Sequence, residues 1–204
     1  MNIYDFDKTI YDGDCSVGFY WYSYQRKPLK MVGYFFKTLG WGILYLFKII
    51  THQEIKQRMF SYVCTLDTLD KILNDFWDKN EHKIKKFYLD NQKDNDVIIS
   101  ASFDFILKPI CQRLGVKHLI STKYDLKTGK IIGHNCHDFE KVKRFREYFK
   151  DVKVNEAYSD SISDVPMLDL AKKAYVVRGN EIIPLEDYKF NLKKLKKYRN
   201  GGKK

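Results

Sequence analysis

Two aspartates, Asp5 and Asp7, stand in the stretch "NIYDFDKT" near the start of this 204-residue chain. Side chains two apart on an extended strand point to the same side, so these carboxylates repel each other unless a cation lies between them. Two other candidate strands also end in polar clusters: Ser100 follows "VII", and "SDSISD", Ser159 to Asp164, follows "VNEAY". In an open parallel sheet the carboxyl ends of neighbouring strands line one crevice, where groups remote in sequence converge. Four carboxylates gathered there, Asp5, Asp7, Asp160 and Asp164, call for a metal ion. Oxygen ligands without a His or Cys cluster favour a hard cation, and Mg²⁺, held by one or two carboxylates with waters and a substrate phosphate, fits best. The stretch "GHNCHD" holds His134, Cys136 and His137, but its spacing matches no four-ligand structural zinc site.

The elements that must position these groups can be read from hydrophobic periodicity. Ile3 to Phe6 reads as a short buried strand, and residues 16–92 as mainly helical. Within them "TLDKILNDFWDKNEHKIKKFYL" reads as helix, with Leu69, Ile72, Leu73, Phe76 and Trp77 on one face. From residue 93 the pattern alternates. "DVIISAS" is a strand, "FDFILKPICQRLG" a helix and "VKHLIST" the next strand, an order that implies a parallel sheet. "KYDLKTGKIIGHN" has the Thr128-Gly129 turn of a hairpin, "FEKVKRFREYFK" is a helix, "VNEAYSD" a strand, and "AYVVRG" another after a helix starting at Pro166. The expected organisation is an α/β core of residues 1–15 and 93–188, a helical insertion at 16–92 and a basic tail at 189–204.

Composition narrows the possibilities. The four cysteines are scattered without CxxC spacing and no secretory signal precedes the first strand, so reduced thiols and a cytoplasmic setting are expected; Cys15 reads as a buried small hydrophobe rather than a reactive thiol. Of the net charge of +11, eight positive charges lie in residues 189–204, leaving +3 for the rest. Such a tail suits anionic lipid or nucleic acid, or is simply solvated. The most apolar window, residues 31–50, is interrupted by Lys37 and Lys48, and one span there would put the two halves of the site on opposite faces of a membrane. It reads instead as a helix or helix pair broken at Gly40 and Gly42. Its aromatic side either rests on a membrane or covers a substrate, or else is an ordinary buried face of a bundle.

With these motifs in order, the chain resembles the haloacid dehalogenase (HAD) superfamily and, within it, the phosphoserine phosphatase-like branch (type IB). "DFDKT" matches the family's DxDx[TV] motif, "VIISAS" its strand-ending hydroxyl, "CHDFEKVKRF" its lysine at a helix start, and "YSDSISDVPML" its late acidic pair. The resemblance implies a Rossmann-like parallel sheet flanked by helices, with an inserted, mainly helical cap. It also implies roles: Asp5 as nucleophile, Asp7 as general acid and base, Lys141 as the charge-neutralising group, Ser100 and Lys141 as phosphate ligands. Mg²⁺ would be held by Asp5, the Asp7 carbonyl and Asp160, with Thr9 and Asp164 in support. Ser102 and Lys143 are the rivals to Ser100 and Lys141. A second aspartate supplies the proton an alkoxide leaving group needs and a halide does not, which favours phosphoryl transfer over dehalogenation.

The implied function is a Mg²⁺-dependent phosphomonoesterase working through an aspartyl phosphate. Its substrate is a phosphorylated small molecule such as phosphoserine, or a lipid phosphate such as phosphatidylglycerophosphate met at the inner face of a membrane. Asp14 lies near where phosphoserine phosphatases carry an amine-recognising acid, and Arg26 and Arg58 are the cap cations suited to a remaining anion. A phosphotransferase or mutase of the same fold is the nearest alternative. A non-enzymatic protein binding a membrane surface or nucleic acid through the tail is another, although no nucleic-acid partner is expected.

Overall fold

A computed structural model describes residues 1–199, except for the side chains of Lys30 and of residues 192–194; residues 200–204 of the basic tail lie outside the described residues. The apolar runs form a six-stranded sheet from β1 (Ile3–Tyr4), β2 (Val97–Phe103), β3 (His118–Thr122), β6 (Val154–Ser159), β7 (Ala171–Arg178) and β8 (Glu181–Pro184), in the order β3-β2-β1-β6-β7-β8. The hairpin around Gly129 forms a separate pair, β4 (Tyr124–Asp125) and β5 (Lys130–Ile131). Pairing is parallel from β3 through β7, and only the edge strand β8, which the sequence pattern did not suggest, runs antiparallel. Strand β1 is central: Ile3 pairs with Val97 on one side and Ala157 on the other. The chain winds from β1 outward in both directions, so the carboxyl ends of β1, β2 and β6 open at a topological switch point.

Alternation along the strands separates two cores. Ile3, Val97 and Ile99 join Phe145 of α7 (Phe139–Phe149) and Met167 of α8 (Val165–Leu168) on one face of the sheet. Tyr4, Phe6 and Ile98 face the other way, into a cluster shared with the insertion and with α6 (Asp104–Arg113). The result is an α/β fold with a mostly parallel sheet between helical layers.

The insertion contains α1 (Cys15–Arg26), α2 (Pro28–Leu46), α3 (His52–Phe60), α4 (Leu69–Asn80) and α5 (Lys86–Asn91). Leu69, Ile72, Leu73, Phe76 and Trp77 of α4 are all buried, and the Trp77 indole donates to the Ile106 carbonyl of α6 at 2.8 Å. Two expectations fail here. The stretch read as one helix through residue 89 is interrupted at Glu81–Lys83, because the Lys85 amide bonds the Ile10 carbonyl and the Lys83 carbonyl takes the Asp12 amide, tying this segment to the loop after β1. Helix α2 is not broken at Gly40 or Gly42 but runs unbroken from Pro28 to Leu46. Nor is its outer side the buried face of a bundle: among its described side chains only Met31 is fully buried, while Leu29, Phe36 and Leu46 are exposed. Among the described residues no helix is long and apolar enough to cross a membrane.

Candidate active site

Strand β1 ends at Tyr4, and the Asp5 amide still bonds the Tyr158 carbonyl at 2.9 Å, so Asp5 leaves the sheet between β2 and β6. Its carboxylate is held from two sides. Lys141, fully buried in the first turn of α7, donates its ammonium to Asp5 Oδ1 at 2.6 Å and to Asp164 Oδ2 at 2.7 Å. Thr9 Oγ1 donates to Asp5 Oδ2 at 3.2 Å and accepts the Asp160 amide at 2.9 Å, linking the first loop to the fourth. Asp164 Oδ2 also accepts from Ser159 Oγ at 2.7 Å, so Asp164 anchors Lys141. Lys143, the rival lysine, is exposed and faces another groove.

Beyond Tyr4 the chain turns: the Phe6 carbonyl takes the amides of Ile10 and Tyr11, and Lys8 has a left-handed φ of 59°. Asp7 therefore lies in a turn, not on an extended strand as its spacing suggested. It has its own donors, the Cys15 amide at 2.6 Å to Oδ1 and Ser102 Oγ at 2.5 Å to Oδ2. The Ser102 hydroxyl also lies 2.8 Å from Ser16 Oγ. Ser102 is thus committed to Asp7, while Ser100, buried in mid-strand where the register of β2 against β3 begins to shift rather than at the strand's end, accepts the Ser102 amide and faces the cavity.

Burial is the main reason the carboxyls here resist ionisation. It raises Asp5 above the ordinary carboxylate range, Lys141 opposes the rise, and repulsion from Asp7 is the weakest of the contributions. Asp7 is raised by burial and then by Asp14, against the bonds from Cys15 and Ser102. Asp160 is likewise raised, by burial and then Asp164. Burial alone would lower Lys141, but Asp164 and Asp5 together keep it above the usual lysine value. Cys15, buried and with its thiol raised well above the ordinary range by burial, is unreactive.

These groups line one cavity of about 690 Å³ whose other wall is the insertion. Helix α3 starts in a capping box between Thr51 and Glu54 and turns His52, Ile55, Lys56, Met59 and Phe60 toward the cavity. Lys56 was not singled out from the sequence. Its ammonium bonds the Ala101 carbonyl at 2.5 Å and Asn135 Oδ1 at 2.9 Å, and burial lowers its pKa to about 8. The signal was present, since Lys56 shares a helical face with Ile55, Met59 and Phe60. The two arginines expected at the substrate do not line the cavity: Arg26 bonds Tyr22 at 2.9 Å, and Arg58 lies two positions round from Lys56. Asp14 reaches the cavity rim but caps α1, accepting the Val17 amide at 2.9 Å. Val17, Trp21, Phe35 and Leu39 complete an apolar wall opposite the carboxylates.

The lining carries five carboxyl groups (Asp5, Asp7, Asp14, Asp160, Asp164) and three lysines (Lys8, Lys56, Lys141), and burial keeps His52 and His137 toward their neutral forms. Acidic side chains thus outnumber lysines by two along the lining. Among the described residues no three His, Cys, Asp or Glu side chains form a ready metal cage.

The haloacid dehalogenase-like hydrolase family model matches residues 3–169. Protein CicA of Caulobacter vibrioides is 41% identical over 91 residues, which are 41% of this chain and 41% of that protein. A probable phosphatase of Mycobacterium tuberculosis is 35% identical over 88 residues, 40% of this chain and 31% of that protein. The chain thus aligns with less than half the length of either relative. Among solved structures, a Bordetella pertussis protein of unknown function has a TM-score of 0.68 at 19% identity, over 85% of this chain and 87% of that one. A probable phosphoserine phosphatase from Vibrio cholerae has a TM-score of 0.53 at 13% identity, over 85% of this chain and 55% of that one. At these identities the likeness is one of fold.

Proposed function

The chain belongs to the haloacid dehalogenase-like hydrolases, and from that premise we propose that it is a Mg²⁺-dependent phosphomonoesterase working through an aspartyl phosphate on Asp5, with 1–15 and 93–188 as catalytic core and 16–92 as cap. The observation that carries this reading is the separate partnering of the two aspartates: Asp5 between Lys141 and Thr9, Asp7 between Cys15 and Ser102. One lies against a cation, the other against an amide and a reversible hydroxyl donor.

An Asp5 oxygen attacks phosphorus, the bond from phosphorus to the alcohol breaks, and Asp7 gives its proton to the departing oxygen. Water then attacks phosphorus and loses a proton to Asp7, and the bond to Asp5 breaks, releasing inorganic phosphate. Lys141 offsets charge shared by Asp5 and the phosphoryl group, and Ser100 donates to a phosphoryl oxygen. The mainly acidic lining suits a divalent cation, and Mg²⁺ needs no preformed cage because waters and the substrate phosphate complete its shell. Asp5, the Asp7 carbonyl and Asp160 would hold it, and bound there it supplies positive charge to the phosphoryl oxygens.

The apolar wall supports an alcohol with a hydrocarbon portion, as in a lipid phosphate, over phosphoserine. A carboxylate on the substrate would want a free cation from the cap; Lys56 is engaged with Ala101 and Asn135, and Arg26 and Arg58 face elsewhere. Asp5→Asn is expected to lower Mg²⁺-dependent phosphate release by roughly a thousandfold or more with an unchanged melting temperature. Acid-quenched wild-type protein should carry phosphate from a labelled substrate, and the variant none. Turnover retained by Asp5→Asn would refute the mechanism.

A further inference from the structure

Helix α2 carries an unpartnered apolar stripe. Leu29, Val32, Phe36, Leu39, Ile43 and Leu46 recur at alternating steps of three and four, which places them on one side of the helix, and their exposure runs from 42% at Val32 to 93% at Leu29. Phe47 and Ile49 extend the surface past the helix end. Six consecutive stripe positions left in water are not the scattered apolar exposure of an ordinary surface.

Charge indicates what covers it. No acidic residue occurs between Asp14 and Glu54, whereas Arg26, Lys27, Lys37 and Lys48 are present and exposed. A second copy packed stripe to stripe would bring these cations together with no acid in the segment to pair them. An anionic bilayer instead takes the apolar side chains into its interfacial region and the cations at its headgroups. The stripe also runs into the catalytic cavity. Leu39 belongs to both, and half-exposed Trp21, a residue type favoured at membrane interfaces, stands at the same rim.

We propose that the outer face of α2 is a docking surface for an anionic lipid bilayer, and that docking sets the mouth of the cavity against the membrane. The surface stands independently of which ester is cleaved. It is tested by co-flotation of the full chain with vesicles of phosphatidylcholine containing phosphatidylglycerol, against phosphatidylcholine alone, beside the double variant Phe36→Asp/Ile43→Asp. Neither substituted residue lines the cavity. Wild type is expected to float with the anionic vesicles, and the variant to bind at least about tenfold more weakly while keeping the wild-type melting temperature and its turnover of p-nitrophenyl phosphate. If the aspartates impair folding, Phe36→Ser/Ile43→Ser replaces them. Three results would overturn the proposal: no flotation of wild type, equal flotation of the variant, which would assign binding to the basic tail, or a dimer abolished by the variant without vesicle binding.

Discussion

Ser102 defines what Asp7 can do. A carboxyl that alternates between holding and releasing a proton needs a neighbour able to reverse its hydrogen bond, and a hydroxyl can, whereas the Cys15 amide can only donate. When Asp7 is protonated, the Ser102 hydroxyl can accept from it and donate to Ser16 instead. Its bond to the ionised form lowers the Asp7 pKa against the effect of burial. Ser102→Ala removes that bond, so Asp7 keeps its proton to higher pH. The alkaline limb of kcat/KM is expected to move upward, with kcat reduced by about tenfold. A limb that stays in place would show that Asp7 is not the acid. At this scale the polar clusters were legible because each lies in or after a candidate strand: Asp5, Asp7, Ser100, Asp160 and Asp164 share one cavity. Lys56 was not read because its role depends on how α3 is oriented, and attention to charge alone selected Arg58, two residues away.

Helix α2 shows where propensity gives way to context. Gly40 and Gly42 are poor helix formers, yet the helix continues through them because Tyr34 and Met31 on its inner side pack into the main core. Nothing lies within 4 Å of a Cβ built at Gly40. Gly40→Ala is therefore expected to stabilise the protein by roughly 0.5–1 kcal/mol, measured as a higher urea midpoint with unchanged slope. A loss of stability would mean that the helix is strained there. Strand β2 was readable as an apolar run, and β3 and β6 as shorter, more polar strand patterns between helices. The edge strand β8 was not, since it exists through its pairing with β7, and the break after α4 was not, since it is imposed by bonds to the loop after β1.

Across the whole molecule the buried aromatics set a limit on alkaline stability. Burial raises the phenols of Tyr4, Tyr11, Tyr62, Tyr88, Tyr124 and Tyr158 above 10.0, the Cys111 thiol to about 12 and the Cys136 thiol to about 11. The folded chain keeps protons that the unfolded chain gives up, so each group contributes stability below its unfolded pKa that is lost as pH rises toward its folded one. Lys56 and Lys85, both lowered by burial, act in the opposite sense, but the raised phenols and thiols outnumber them. Tm is expected to fall steadily once the pH passes about 9; a level Tm to pH 11 would contradict this burial. What the sequence did not disclose at this scale is that cap and core share one hydrophobic cluster, joined through Trp77, Phe6 and Phe103. The central place of β1 has its own consequence for how the molecule is made. Ile3 and Tyr4 are made before their neighbours on one side, Ala157 and Tyr158, with most of the described chain in between. Strand β1 must wait, unpaired on that flank, until β6 is made, so assembly of the crevice is governed by long-range closure.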